Sequence, residues 1–134
     1  MNLVFWLFKM EVLNMESKRL GVVESKFADI VWANEPLTSR ELVELSLKEL
    51  GWKKSTTYTV LKKLSERGIF QNVDGVVTSL ISKDELCSMQ SEEFVNEAFQ
   101  GSLPAFIAAF TARKGLSEQE IDQIRKLIDS CGKE

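Results

Sequence analysis

A chain of 134 residues has room for one domain, or for a small domain with an appendage, and 44% hydrophobic with 28% charged residues is an ordinary globular balance. There is no histidine, so the commonest general base and metal ligand are both missing, and the two cysteines, Cys87 and Cys131, form no CxxC or CxC pair. Catalytic, metal and cofactor sites are therefore not expected: the chain does not read as an enzyme, and two free thiols fit a reducing cytoplasm.

The net charge of −3 hides an asymmetry. Residues 17–70 carry ten Lys or Arg against seven Asp or Glu, whereas residues 71–134 carry six against eleven. A basic front half on an acidic back half is the distribution of a nucleic-acid head joined to a partner-binding tail.

Residues 1–16 stand apart. The apolar run at 3–8 ends at Lys9, has no basic residue before it, and falls well short of the about 20 residues that span a bilayer. No membrane partner is expected. The segment reads either as an extra amphipathic helix packed on the body or as a start placed too early, with Met10 and Met15 as alternatives.

Next, Leu20, Val23, Phe27, Ile30 and Val31 recur at helical spacing and predict a first helix over about 18–32, broken by Asn34-Glu35-Pro36. Thr38 and Glu41 are spaced as a capping box, with Leu37 and Leu42 as its hydrophobic staple, opening a second helix that stops at Gly51. After the short link Trp52-Lys53-Lys54 a third helix is predicted over about 55–67, with Gly68 as its stop. Two helices joined so tightly cross steeply, as in a helix-turn-helix. Residues 69–73 and 76–81 are rich in β-branched and aromatic side chains and flank Asp74-Gly75, a strong two-residue hairpin signal.

Beyond Ser82 the chain is expected to be helical again and to stay so, with apolar positions gathered at 92–100, 102–113 and, from a second capping box at Ser117 and Glu120, 117–132. The fold class expected is mostly α with a small β-hairpin wing. A winged helix-turn-helix DNA-binding domain occupies 17–83 and a helical dimerisation region 84–134.

At 100° per residue, the third helix gathers Thr57, Val60, Leu61 and Leu64 on a core face. Ser55, Thr59, Lys62 and Glu66 gather opposite, flanked by Tyr58 and Lys63. Small hydroxyls read base edges and lysines meet phosphates or guanine, while a helix N-terminus itself favours phosphate. The DNA-binding residues expected are Thr38, Ser39, Arg40, Lys53, Lys54, Ser55, Thr56, Tyr58, Thr59, Lys62, Lys63 and Arg67. The hairpin tip (Asn72, Asp74, Gly75) has no cation, which leaves the wing a largely structural part. In the tail, Phe94, Phe99, Leu103, Phe106, Ile107, Phe110, Ile121, Ile124, Leu127 and Ile128 exceed what short helices hide alone, so they are the expected dimerisation residues. The competing class is a winged-helix protein-interaction module without DNA. An apolar stripe on the third helix would favour that class, and hydroxyls with lysines favour DNA.

The stretch LTSRELVELSLKELGWKKSTTYTVLKKLSERGIF, and within it STTYTVLKKLSERG, resembles the penicillinase repressor family, whose members repress β-lactamase, methicillin-resistance and copper-homeostasis genes. FVNEAFQGSLPAFIAAFTARKGLSEQEIDQIRKLI resembles the family's dimerisation tail, and Trp32 sits where the family closes its first helix. The resemblance covers about 20–128. It implies a homodimeric repressor on an inverted-repeat DNA operator, released by an upstream sensor or protease. Two positions depart from it. Copper-responsive members use a C-terminal cysteine cluster, and here that region holds only Cys131. Protease-released members are cut between Asn and Phe in the tail, where this chain has Ala109-Phe110.

Overall fold

The computed structural model describes residues 20–132, so the N-terminal extension lies outside the described residues. In chain order the elements are α1 (Val22–Asn34), β1 (Leu37–Thr38), α2 (Ser39–Leu50), α3 (Lys54–Glu66), β2 (Phe70–Val73), β3 (Val76–Ser79), α4 (Lys83–Phe99), α5 (Leu103–Arg113) and α6 (Glu118–Cys131). The chain forms two compact units, one ending at Glu93 and the other beginning at Phe94, so the division falls within α4.

In the first unit, α1 buries Phe27, Ala28, Ile30 and Val31, the single stripe that 3.6-residue periodicity allows. Its start is held by the Gly21 N–H, which donates to Glu24 Oε1 at 3.1 Å. At its end, the Glu35 carboxylate accepts from both the N–H (2.9 Å) and the hydroxyl (2.8 Å) of Ser79. Thr38 caps α2 by accepting the Glu41 N–H at 3.0 Å, although the reciprocal bond of a full capping box is not made. Gly51, at φ 70°, lets the chain leave α2 in a left-handed conformation that a Cβ would oppose.

Phe27, Leu42, Leu64, Ile69, Phe70, Val77 and Leu86 close the core with 1% exposure or less. Phe27 stacks on Trp52 with ring centroids 5.3 Å apart, and Trp32 meets Phe70 edge-on at 5.6 Å. The Trp32 Nε1–H donates to the Ile81 carbonyl at 3.1 Å, so this large ring is half-buried without stranding its polar atom. Burying each such apolar side chain contributes about 1.5–3 kcal/mol, which is how a small head stays folded.

The sheet has three strands in the order β1-β3-β2, all antiparallel. Asp74 (φ 53°) and Gly75 (φ 80°) both lie in the left-handed region, the backbone of a type I′ hairpin turn. The third strand was not foreseen. Leu37 pairs with Val77 and Thr38 with Val76, and the Ser39 N–H donates to the Gly75 carbonyl at 2.8 Å. The wing is thereby tied to the first turn of α2. Three helices and this sheet make a winged helix-turn-helix.

Helix α4 begins at Lys83, directly after Ser82, where helical structure is expected to resume. Ser82 accepts the Glu85 N–H at 3.0 Å, and Leu86 reaches into the head's core. Of the other residues in these early turns, Cys87 and Met89 are exposed. In the second unit Ser102 caps α5, with Pro104 in its first turn, where a missing N–H is harmless. Ser117 and Glu120 make a complete capping box on α6, each bond 3.1 Å.

Candidate nucleic-acid interface

Helix α3 turns Thr57, Leu61 and Leu64 into the core and leaves Ser55, Thr59, Lys62 and Glu66 exposed along the opposite ridge. Thr59 spends its hydroxyl proton on the Ser55 carbonyl at 2.8 Å. Its methyl group and the remaining oxygen lone pairs stay directed outward as apolar and acceptor surface. No large apolar side chain interrupts the ridge.

Beside the ridge, the first turns of α2 and α3 converge on an open cleft of about 340 Å³ lined by Ser39, Arg40, Val43, Glu44, Lys54 and Tyr58. Tyr58 and Ser39 hydroxyls lie 3.2 Å apart, and the Lys54 ammonium stands 6.0 Å from the Tyr58 ring centre, within cation–π range. Two cations, two hydroxyls and two helix N-termini thus surround one concavity. The dipoles of the two helices add positive potential there. Glu44 is the opposing charge. Lys53, the N-cap residue of α3, and Thr56 in its first turn are both exposed, and Thr38 is occupied as the cap of α2.

Lys63 is positioned otherwise. Its ammonium lies 3.1 Å from Glu24 Oε2 on α1, away from the cleft residues. Burial pushes the Glu24 carboxyl upward. The Gly21 N–H and Lys63, with the charges of Lys63 and Arg67, outweigh that effect and hold it below the usual carboxylate range. Arg67 is the C-cap residue of α3, at the end remote from the cleft.

The structure therefore brings Ser39, Arg40, Lys54 and Tyr58 together, sets Ser55, Thr59 and Lys62 on the adjoining ridge, and aligns Lys63 with α1. Val43, Glu44 and Glu24 were missed by sequence reasoning. Their places depend on helices crossing in space, and no local spacing announces that. The wing tip exposes Val73, Asp74 and Val76 and no cation.

The second unit presents a different surface. Phe94, Phe99, Phe106 and Phe110 form a chain of ring contacts with centroids 5.6–6.2 Å apart. Phe99, Phe106 and Ile124 are half-buried, whereas Phe94, Leu103, Ile107, Phe110, Ile121, Leu127 and Ile128 are exposed, Leu127 to 64%. No residue of α5 or α6 is fully buried. Among the described residues, no helix is long and apolar enough to cross a membrane, and no group of three or more His, Cys, Asp or Glu could hold a metal ion.

Comparison with known proteins agrees with this architecture. The chain matches the penicillinase repressor family over residues 20–130. It is 20% identical over 121 residues to the methicillin resistance regulatory protein MecI of Staphylococcus aureus, covering 87% of this chain and 98% of that one. It is 22% identical over 115 residues to the penicillinase repressor of Bacillus licheniformis, covering 83% and 90% of the two chains. The penicillinase repressor of Staphylococcus aureus is 19% identical over 118 residues, covering 85% and 94%. These relatives are named for regulation and not for catalysis. Since the matched region runs from the first turn of the winged helix into the last helix of the tail, the chain belongs to the penicillinase repressor family, a family of transcriptional regulators.

Proposed function

We propose that the chain is a cytoplasmic repressor that binds an inverted-repeat operator in duplex DNA as a homodimer. The observation that carries this reading is the exposed ridge of α3, where hydroxyls and a lysine lead up to Glu66 at its far end, beside a cleft lined by Arg40 and Lys54 with Glu44 the one acidic group. A protein-docking helix would expose apolar side chains at those positions, so the composition of the ridge favours DNA over the protein-interaction alternative. Ser55, Thr56 and Thr59 meet base edges in the major groove, with Lys62 at its rim. Arg40, Lys53 and Lys54 neutralise backbone phosphates, and Ser39 and Tyr58 donate to them. The cation-free wing keeps α2 in place and takes no phosphate.

The apolar surface of the tail supports the second part of the reading. Leaving Leu103, Ile107, Phe110, Leu127 and Ile128 in water is costly, and an isologous pair is the simplest cover. Two heads so paired read half-sites about one helical turn, 34–36 Å, apart. Release follows an upstream signal, and Ala109-Phe110 in place of the Asn-Phe pair weakens the case for family-type cleavage at this bond.

Binding of a fluorescent duplex carrying the inverted repeat nearest the promoter the protein regulates, measured across salt concentrations, tests this. If each protomer neutralises four or five phosphates, the log–log slope for a dimer is roughly −7 to −9. A slope near zero, or no binding at low salt, rules out the DNA reading.

A further inference from the structure

Helix α3 carries a cation that its own fold holds back. Lys63 Nζ lies 3.1 Å from Glu24 Oε2, and Glu24 Oε1 is fixed by the Gly21 N–H at 3.1 Å. The carboxylate therefore does not swing freely. Its Oε2 is closed off from solvent with no well-directed hydrogen bond, and the Lys63 ammonium at 3.1 Å compensates it directly, with the Arg67 charge adding to the effect. An ordinary surface ion pair contributes little and opens readily. This one is asymmetric: the lysine is 52% exposed and its partner 20%. Withdrawing Lys63 would take the direct ammonium partner from a dehydrated carboxylate oxygen, which resists the withdrawal.

By helical spacing, Lys63 borders the ridge formed by Ser55, Thr59 and Lys62, one position from Lys62. Its four-carbon stem is long and flexible enough to meet a phosphate at the rim of the groove that the ridge would enter. We propose that Glu24 is a negative determinant of DNA affinity: by pairing with Lys63 it withholds from the recognition helix one phosphate contact per protomer. This rests on the DNA reading above. It assigns Glu24, which makes no DNA contact itself, a positioning role acting through Lys63.

Glu24→Gln tests the assignment, because the amide oxygen still accepts the Gly21 N–H while the charge that holds Lys63 is gone. With the full chain on operator duplex, E24Q steepens the log–log salt slope by about 2 per dimer and tightens Kd on the order of tenfold at 0.1 M salt. Lys63→Gln leaves the wild-type slope unchanged, since Lys63 is not a phosphate contact in the native protein. The double variant E24Q/K63Q returns to the wild-type slope. Circular dichroism of each variant verifies the fold, and K63Q alone carries the test if E24Q does not fold. Wild-type binding with an unchanged E24Q slope, a steeper slope that survives in the double variant, or a K63Q slope flattened by about 2 overturns the assignment alone. Loss of all wild-type DNA binding at low salt removes the DNA reading and this assignment together.

Discussion

The Tyr58 hydroxyl lies 3.2 Å from Ser39 Oγ and so joins the middle of α3 to the first turn of α2. Ser39 also donates its N–H to the Gly75 carbonyl at 2.8 Å, at the turn of the wing. One small residue thus links the wing, the start of α2 and the aromatic ring that walls the candidate phosphate cleft. Its hydroxyl can receive the Tyr58 proton or release it to a phosphate, since a hydroxyl is both donor and acceptor.

Tyr58→Phe keeps the ring against Lys54 and removes only the hydroxyl. A partly exposed neutral hydrogen bond contributes about 0.5–1.5 kcal/mol, so folding stability falls by no more than that. If the hydroxyl donates to a phosphate, operator affinity drops severalfold with the salt slope unchanged, because no charge is lost. Fluorescence anisotropy at three or more salt concentrations measures both quantities, and full affinity in Y58F would remove Tyr58 from the interface.

Lys62→Ala and Thr59→Ala separate positioning from reading. The lysine variant is expected to weaken binding to operator and random duplex alike, and to flatten the slope by about one per protomer. The threonine variant is expected to cost about 1–3 kcal/mol of discrimination at one base position while leaving random-sequence binding intact. Competition with single-base operator variants distinguishes the two. Equal losses on operator and random DNA for both variants would mean that the ridge does not read bases.

Gly51, Gly68 and Asp74-Gly75 explain why the boundaries of α2, α3 and the hairpin were legible: each is a local requirement for a left-handed backbone, visible in the residue itself. Ser117 made the last tail helix legible in the same way, through a side chain that satisfies its own first turn, whereas the cap at Ser102 emerges only in the structure. Strand β1 was not legible because two residues carry no period, and its pairing with Val76 and Val77 depends on residues about 40 positions away. The buried flank of α3 was read from spacing alone. The cleft was only half legible: its cations were identified, but Val43 and Glu44 enter it through the crossing of α2 and α3. The attachment of Lys63 to Glu24 joins residues 39 positions apart, beyond any local pattern.

Leu86 ties the early turns of α4 to the head. It is 1% exposed and belongs to the head's core cluster, so Leu86→Ala is expected to cost about 2–5 kcal/mol by leaving a cavity there. Denaturant unfolding of the full chain measures the loss. A cost below about 1 kcal/mol, typical of surface substitutions, would show that α4 does not contribute to the head.

The tail makes the sharpest demand. Phe94, Leu103, Ile107, Phe110, Ile121, Leu127 and Ile128 all remain exposed on the single chain, and α5 and α6 have no fully buried residue between them. Helices this short are marginal without a surface to pack on, so a second copy has two effects: it removes apolar area from water and it stabilises the helices that present it. Truncation after Glu93, where the first compact unit ends, retains Leu86 and is expected to give a folded monomer. That fragment keeps the ridge and the cleft but loses the linkage between two half-sites, so operator affinity should fall by 10²–10⁴-fold, the range that effective concentration supplies. Phe110→Asp in the full chain provides the complementary test, placing a charge on the apolar face and leaving the head untouched. Analytical ultracentrifugation should show a dimer for the wild type, with the truncated chain and F110D shifted to monomer at micromolar concentration. A dimeric truncation, or an F110D chain that remains dimeric and binds the operator at full strength, would place the self-association surface elsewhere.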